Sequence, residues 1–316
     1  MNTTISIYKK LAVILGVILL ITVICFGYKD IPLDTLKEKY ANLPSKFIPI
    51  NGMDVHYRDE GIANDSLPIV LIHGTSASLH TFNAWTEDLK KEHRVIRMDL
   101  PAFGLTGPFP NSDYTMQNYV QFIEDFLAAL QVNQCILAGN SLGGKIAWSY
   151  TLKNPQTVDK LILIDALGYP SEAKSTPLAF KAAKTPMINK ALTFITPKFM
   201  VKSSIENVYA DKTKVTDALV TQYFDLTLRA GNRQALVDRM RQEDHSDSYK
   251  NISTIKTPTL ILWGKEDLLI PVSNAYTFEK DLANSTLAIL DHVGHVPMEE
   301  SPKESLEALN AFLVNH

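Results

Sequence analysis

Cysteine is scarce in this chain: 316 residues contain only Cys25 and Cys135. One lies in an amino-terminal apolar run and the other in a run far downstream, so a disulfide within one folded domain is excluded and the redox compartment stays open. Positive charge is not in excess either. Lys and Arg number 31 against 34 Asp and Glu, for a net charge of −3, and no basic run is interleaved with aromatics. That excludes the electrostatic surface that a nucleic-acid partner requires. No internal repeat or low-complexity segment is present, so repeat architectures are excluded. Histidine and acid clusters are sparse, and Asp291, His292 and His295 on one loop are too few for a zinc site, so neither metal nor other cofactor is expected. Apolar residues are plentiful, at 46% against 21% charged, which suffices for one large domain with a buried core.

Residues 11–27 carry no charge and follow Lys9 and Lys10. A helix of that length reaches roughly 26 Å, just under a membrane's hydrocarbon core. Residues 1–28 are therefore expected to form one transmembrane helix, an uncleaved anchor. A signal peptide is the alternative, but no small-x-small cleavage site follows and Ile24 before Cys25 fits lipoprotein processing poorly. The lysine pair favours a cytoplasmic amino terminus with the rest of the chain outside, although Lys29, Lys37 and Lys39 weaken the asymmetry. Cleavage would instead give a secreted protein. Residues 29–46, with Ile31, Leu33, Leu36 and Tyr40 at loosely helical spacing, read as a lightly packed tether.

From residue 47 onward apolar runs alternate with helical patterns, which predicts an α/β fold with a mostly parallel sheet covered on both faces. Residues 47–61 open it antiparallel. The alternation breaks after Gly168, and Pro170, Pro177, Pro186 and Pro197 punctuate short helical stretches carrying Phe180, Met187, Phe194, Phe199 and Met200. Residues 169–251 are thus expected to be a helical cap, inserted between core segments 47–168 and 252–316.

The most specific stretch is Gly139-Asn140-Ser141-Leu142-Gly143, placed between the apolar run 135–138 and the helical pattern 145–150. A serine at a sharp strand-to-helix turn is a candidate nucleophile, and its glycine neighbours let strand and helix pack closely. Gly139 to Lys145 also spells a phosphate-binding loop, but Ile146 stands where that loop needs a magnesium-binding hydroxyl. A serine needs a base, and the base an orienting acid. Asp267 follows the buried run 257–263, and His295 sits on the loop after the run 285–290. Asp165, at the end of the run 161–164, is the alternative acid.

The order Ser141, Asp267, His295 resembles the α/β-hydrolase fold family, from about residue 47 to the end. His73-Gly74-Thr75-Ser76 is similar to that family's oxyanion loop, Asp99-Leu100-Pro101-Ala102-Phe103-Gly104 to its next strand-end signature, and Gly294-His295-Val296-Pro297 to its histidine loop. The resemblance implies an eight-stranded sheet, His295 rather than His292 as base, and a structural role for His73. It places the oxyanion donors at the backbone amides of Thr75 and Leu142. The expected function is a serine hydrolase of carboxylic esters, working through an acyl-enzyme on a small hydrophobic ester. A carbon–carbon bond hydrolase of the meta-cleavage-product type is one alternative, since such relatives share Gly-Asn-Ser and a helical cap. A membrane-tethered binding protein without catalysis is another.

Overall fold

The computed structural model describes residues 2–242 and 247–315; the side chains at 2–6, 8, 9, 12, 15, 18 and 19 lie outside the described set, as do residues 1, 243–246 and 316 of the expected anchor, cap and core. Eight strands form one sheet: β1 (Lys46–Ile50), β2 (Met53–Gly61), β3 (Ile69–Ile72), β4 (Arg94–Met98), β5 (Cys135–Asn140), β6 (Val158–Ile164), β7 (Thr259–Gly264) and β8 (Ser285–Leu290). Their order is β1-β2-β4-β3-β5-β6-β7-β8. β2 pairs antiparallel with β1 and β4, and every later pairing is parallel.

The helices are α1 (Asn2–Phe26), α2 (Leu33–Tyr40), α3 (Asn83–Leu89), α4 (Met116–Ala129), α5 (Leu142–Lys153), α6 (Leu178–Lys184), α7 (Ile188–Leu192), α8 (Lys198–Val208), α9 (Asp217–Thr227), α10 (Asn232–Arg241), α11 (Ser273–Asp281), α12 (Pro297–Glu300) and α13 (Pro302–Asn315). Side chains alternate across a strand, so each central strand must be apolar on both sides if both faces are covered. Val70, Ile72, Leu161, Leu163, Ile261 and Trp263 join a core with α4, α5 and α11. Their neighbours Ile69, Leu71, Ile162, Ile164, Leu260 and Leu262 join a second core with α3 and α13. Each such side chain, when fully buried, contributes about 1.5–3 kcal/mol. The helices after β3 and β5, adjacent strands, go to opposite faces. The loops leaving those two strands therefore diverge and open a crevice at their carboxyl ends.

Between β6 and β7 the described residues form no strand, only helices, 3-10 turns and isolated bridges at Ile195 and Arg229. Both bridges pair with the amino-terminal segment, at Gly27 and Ile31 respectively. The expected light tether is in fact closely packed. Leu36 of α2 is buried against Leu105 and Leu226, Tyr28 meets the Phe224 ring edge-on at 4.9 Å, and Arg233 donates to Asp30 at 2.6 Å. The transmembrane expectation needs correction. α1 is a helix, but among the described residues no helix is long and apolar enough to cross a membrane. The uncharged run is short, its amino-terminal flank holds Lys9 and Lys10, and its last residues, Phe26 and Gly27, are drawn onto the cap.

The turn after β4 is organised by Asp99, which is fully buried. It accepts from His56 Nδ1 and from the backbone N–H groups of Leu79 and Leu105, each at 2.7 Å. Burial, the largest single influence, would raise its pKa, yet the His56 imidazole and, nearby, His73 and His80 together hold the carboxyl well below the usual range. Removing this acceptor strands three buried donors, so Asp99→Ala is expected to lower stability by about 3–5 kcal/mol. Urea unfolding reads this as a lower midpoint at unchanged slope; a loss below about 1 kcal/mol would contradict the role assigned to Asp99.

Candidate active site

Ser141 sits where β5 turns into α5, with φ 57° and ψ −114°. A non-glycine residue in such a conformation costs of order 1–3 kcal/mol and persists only where its surroundings enforce it. Here its N–H donates to Ile164 O at 3.0 Å, and its carbonyl accepts from Lys145 and Leu167 at 3.1 and 3.0 Å. The packing explains the flanking glycines. A Cβ on Gly139 would lie 2.2 Å from Gly143 O, and one on Gly143 would lie 2.2 Å from Ile72 O. Leu142 is the first residue of α5, so no helical turn precedes it to take up its N–H, and the helix N-terminus adds partial positive charge. Ser141, Leu142 and Thr75 line one cavity of about 1020 Å³ at the crevice.

Asp267 and His295 come together at the carboxyl ends of β7 and β8. His295 Nδ1 and Asp267 Oδ2 are 2.7 Å apart and both residues are buried. The other carboxylate oxygen, Oδ1, accepts from Leu269 and Ile270 N–H at 2.7 and 3.0 Å, which fixes the acid's orientation. Asp165 is not the acid on the imidazole. It accepts from Gly264 N–H at 3.0 Å, and burial together with the Asp267 charge raises its pKa well above the ordinary value. Asp165, Asp267 and His295 offer atoms within 4.8 Å of one another, but the raised pKa of Asp165 disfavours the carboxylate form that a metal would need. His292 lies apart, exposed and 3.9 Å from Glu266, while Asp291 pairs with Lys265. His73 is fully buried; Leu100 N–H donates to its Nε2 at 2.9 Å and its Nδ1 contacts Gly74 O at 2.7 Å, which fixes one neutral tautomer. Burial lowers its pKa accordingly.

Other residues hold the histidine loop. Asn140 donates through Nδ2 to Ile164 O at 3.1 Å and to His295 O at 2.9 Å, tying the turn before Ser141 to the imidazole's own backbone. His295 N–H donates to Val208 O in the cap, and Glu300 accepts from Gly294 N–H and, across to the cap, from Asp211 N–H. Sequence reasoning passed over both roles, although Asn140 lies inside the glycine-serine motif and Glu300 closes the histidine stretch. Glu299 accepts from Tyr223 of α9 at 3.0 Å.

A family model described as the alpha/beta hydrolase fold matches residues 68–185. That match, together with the relatives below, supports the α/β-hydrolase fold family for this chain. The hydrolase is 27% identical over 276 residues to a 2-hydroxy-6-oxo-6-(2'-aminophenyl)hexa-2,4-dienoic acid hydrolase of Metapseudomonas resinovorans, covering 85% of this chain and 90% of that one. It is 26% identical over 254 residues to a monoacylglycerol lipase of Bos taurus, covering 78% and 75%. Among solved structures, a putative lipase of Acinetobacter baumannii superposes with a TM-score of 0.75 at 26% identity, covering 91% and 97%.

Burial pushes the Glu299 carboxyl of this hydrolase from 4.5 up to about 7. An acid whose pKa is higher folded than unfolded binds more protons in the folded state between the two values, so its contribution to stability is lost as pH rises from about 4.5 to about 7. Glu299→Gln removes the titrating carboxyl and with it this pH dependence. Denaturant unfolding at about pH 5 and about pH 7.5 is therefore expected to show the wild type losing stability relative to Glu299→Gln as pH rises; parallel profiles would contradict the assignment.

Proposed function

We propose that this hydrolase cleaves carboxylic esters through an acyl-enzyme, with Ser141 as nucleophile, His295 as general base and Asp267 as its orienting acid. The supporting observation is the 2.7 Å contact between His295 and Asp267 on a loop that Asn140 fastens to the turn bearing Ser141. His295 takes the Ser141 proton through Nε2 as Oγ bonds to the ester carbonyl, and the amides of Thr75 and Leu142 stabilise the resulting oxyanion. Collapse expels the alcohol, which receives the proton from His295. Water, deprotonated by the same imidazole, then attacks the acyl-enzyme and releases the acid. Asp267 stays ionised and stabilises the imidazolium. Burial and the Asp267 charge raise the pKa of Asp165, which disfavours a second negative charge in this buried site.

The cavity wall includes Leu142, Leu167, Tyr169, Phe180, Met240 and Ile270, a lining suited to an apolar acyl or alcohol chain. The resemblance to a monoacylglycerol lipase and a putative lipase is consistent with ester chemistry, and that to the dienoic acid hydrolase, in the same range of identity, with the carbon–carbon alternative, so it is the lining that carries the preference. We also propose attachment at a membrane surface, with the enzyme outside the cytoplasm. Val13, Ile14, Val17, Leu20, Ile21 and Ile24 of α1 are all exposed, and such a helix leaves water only against an apolar partner. The full-length protein is expected to sediment with membranes and to be released by detergent rather than by high salt; recovery in the soluble fraction would remove this part of the reading.

Hydrolysis of p-nitrophenyl esters of graded acyl length tests the chemistry. Ser141→Ala and His295→Ala are each expected to lower kcat by about 10⁴-fold or more, and Asp267→Asn by about 10³–10⁴-fold. Asp165→Asn, which mimics the protonated acid, should stay within about tenfold of wild type. A folded protein that leaves esters intact but cleaves a dienoic acid carbon–carbon bond would replace the ester reading.

A further inference from the structure

The cap leaves a run of large apolar side chains in water: Met187, Ile188, Phe194 and Phe199 are 82%, 52%, 71% and 59% exposed. α7 turns Asn189 and Leu192 inward and leaves Ile188, Lys190 and Ala191 outside, so its outer side has no packing partner among the described residues. Outside α1 and the cap, exposed large apolar residues such as Leu43, Ile62, Leu268 and Val314 fall singly in separate segments. Single ones need no explanation, whereas several together mark a contact surface.

This surface begins where α1 ends. The Phe26 ring meets Phe199 edge-on with centroids 5.9 Å apart, Gly27 bridges Ile195, Tyr28 N–H donates to Phe194 O at 3.2 Å, and Thr196 N–H donates to Phe26 O at 3.1 Å. The exposed apolar side chains of α1 are therefore continuous with those of the cap, and whatever covers one lies beside the other. An apolar helix that does not cross a bilayer holds to it weakly by itself, and a second apolar contact strengthens the attachment. Charge points the same way. Residues 185–205 contain Lys190, Lys198 and Lys202 and no acid. Lys190 is exposed on α7, while Lys198 stands over the Phe224 ring and Lys202 faces Glu206 at 3.6 Å. Rings and aliphatic chains interleaved with lysine suit a bilayer boundary, where the apolar groups enter the acyl chains and the ammonium groups stay with the headgroup phosphates. A self-complementary contact between two copies would instead bring this acid-free segment against its own like charges.

We propose that α7 and the first turn of α8 lie in the surface of a lipid bilayer beside α1, and that the ester is drawn from that bilayer. Met187, Ile188, Phe194 and Phe199 sit among the acyl chains and Lys190 at the headgroups. α6 packs on α7 and α8 and supplies Phe180 to the cavity wall, so the site is one helix removed from the docked face. The docking rests on the attachment through α1, and the source of the substrate rests on the ester reading as well.

Full-length protein is bound to vesicles of phosphatidylcholine and phosphatidylglycerol, with and without bromine on the acyl chains. Trp85, Trp148 and Trp263 are fully buried, so a tryptophan added at the surface is the one that bromine reaches. Emission from Phe194→Trp and from Phe199→Trp is expected to be quenched by brominated lipid. Ile62→Trp, beside the start of β4 at the end of the sheet away from the cap, should keep its emission. Quenching no greater at residues 194 and 199 than at 62, in protein that floats with the vesicles, overturns the docking and leaves attachment through α1 standing. Protein that does not float sinks both. Emission that ignores bromine but shifts with protein concentration assigns the face to a second copy and also overturns the proposal. Combining Phe194→Ser with Phe199→Ser is expected to lower hydrolysis of vesicle-borne p-nitrophenyl palmitate by about tenfold or more and to leave soluble p-nitrophenyl acetate unchanged. Equal effects on the two esters overturn the bilayer as source of the substrate. Quenching at 194 and 199 in a protein that cleaves neither ester upholds the docking and sinks the ester chemistry instead.

Discussion

The backbone reversal at Ser141 is the constraint on which the rest of the molecule depends. A left-handed residue between β5 and α5 is unfavourable by itself, and it is held by hydrogen bonds from two directions and by contacts too close for any side chain at residues 139 and 143. The approach of Gly143 to Ile72 O fixes how near α5 comes to β3, and hence where the loop bearing Thr75 ends relative to the nucleophile. Because the helices after β3 and β5 cover opposite faces, that point of closest approach is also where the sheet opens. The strained serine and the crevice in front of it thus have one cause.

A second consequence runs through the cap. The histidine loop is not held by the sheet alone: Val208 and Asp211 bind it from the cap, and Asn140 binds it from the turn. On its other side the cap is clasped by residues 28–40, through Ile31 to Leu228, Asp30 to Arg233 and Tyr40 to Asp225. The surface that would select substrate and the imidazole that would activate the serine are therefore parts of one packed assembly. A change in the amino-terminal segment has a physical route to the site, through α9 and α10.

What was legible in the sequence was what local pattern carries. Runs such as Ile69-Val70-Leu71-Ile72, apolar at every position, announce a strand buried on both faces, and the glycines around Ser141 announce a turn with no room. Asp267 and Asp165 each follow an apolar run, so position alone left both open, and the structure gives the physical difference between them: Asp267 meets the His295 imidazole, whereas Asp165 meets the Gly264 N–H and is raised by burial and a like charge. Contacts between distant residues were not legible. Asn140 to His295 and Glu300 to Asp211 depend on how the loops and the cap come to rest, which no local spacing encodes. The packing of α2 was missed for the same reason, since Leu36 finds its partners at Leu105 and Leu226. At the amino terminus the helix was legible in the uncharged run, whereas its capture by the cap at Gly27 was not.

The central claim is that Ser141 is an activated nucleophile, and covalent trapping tests it most directly. The full-length protein is treated with a fluorophosphonate, digested, and mapped by peptide mass spectrometry. One adduct per chain, on the peptide containing Ser141 and formed far more slowly in His295→Ala, is the predicted result. An unlabelled Ser141 in folded protein, or labelling that ignores the loss of His295, would contradict the account.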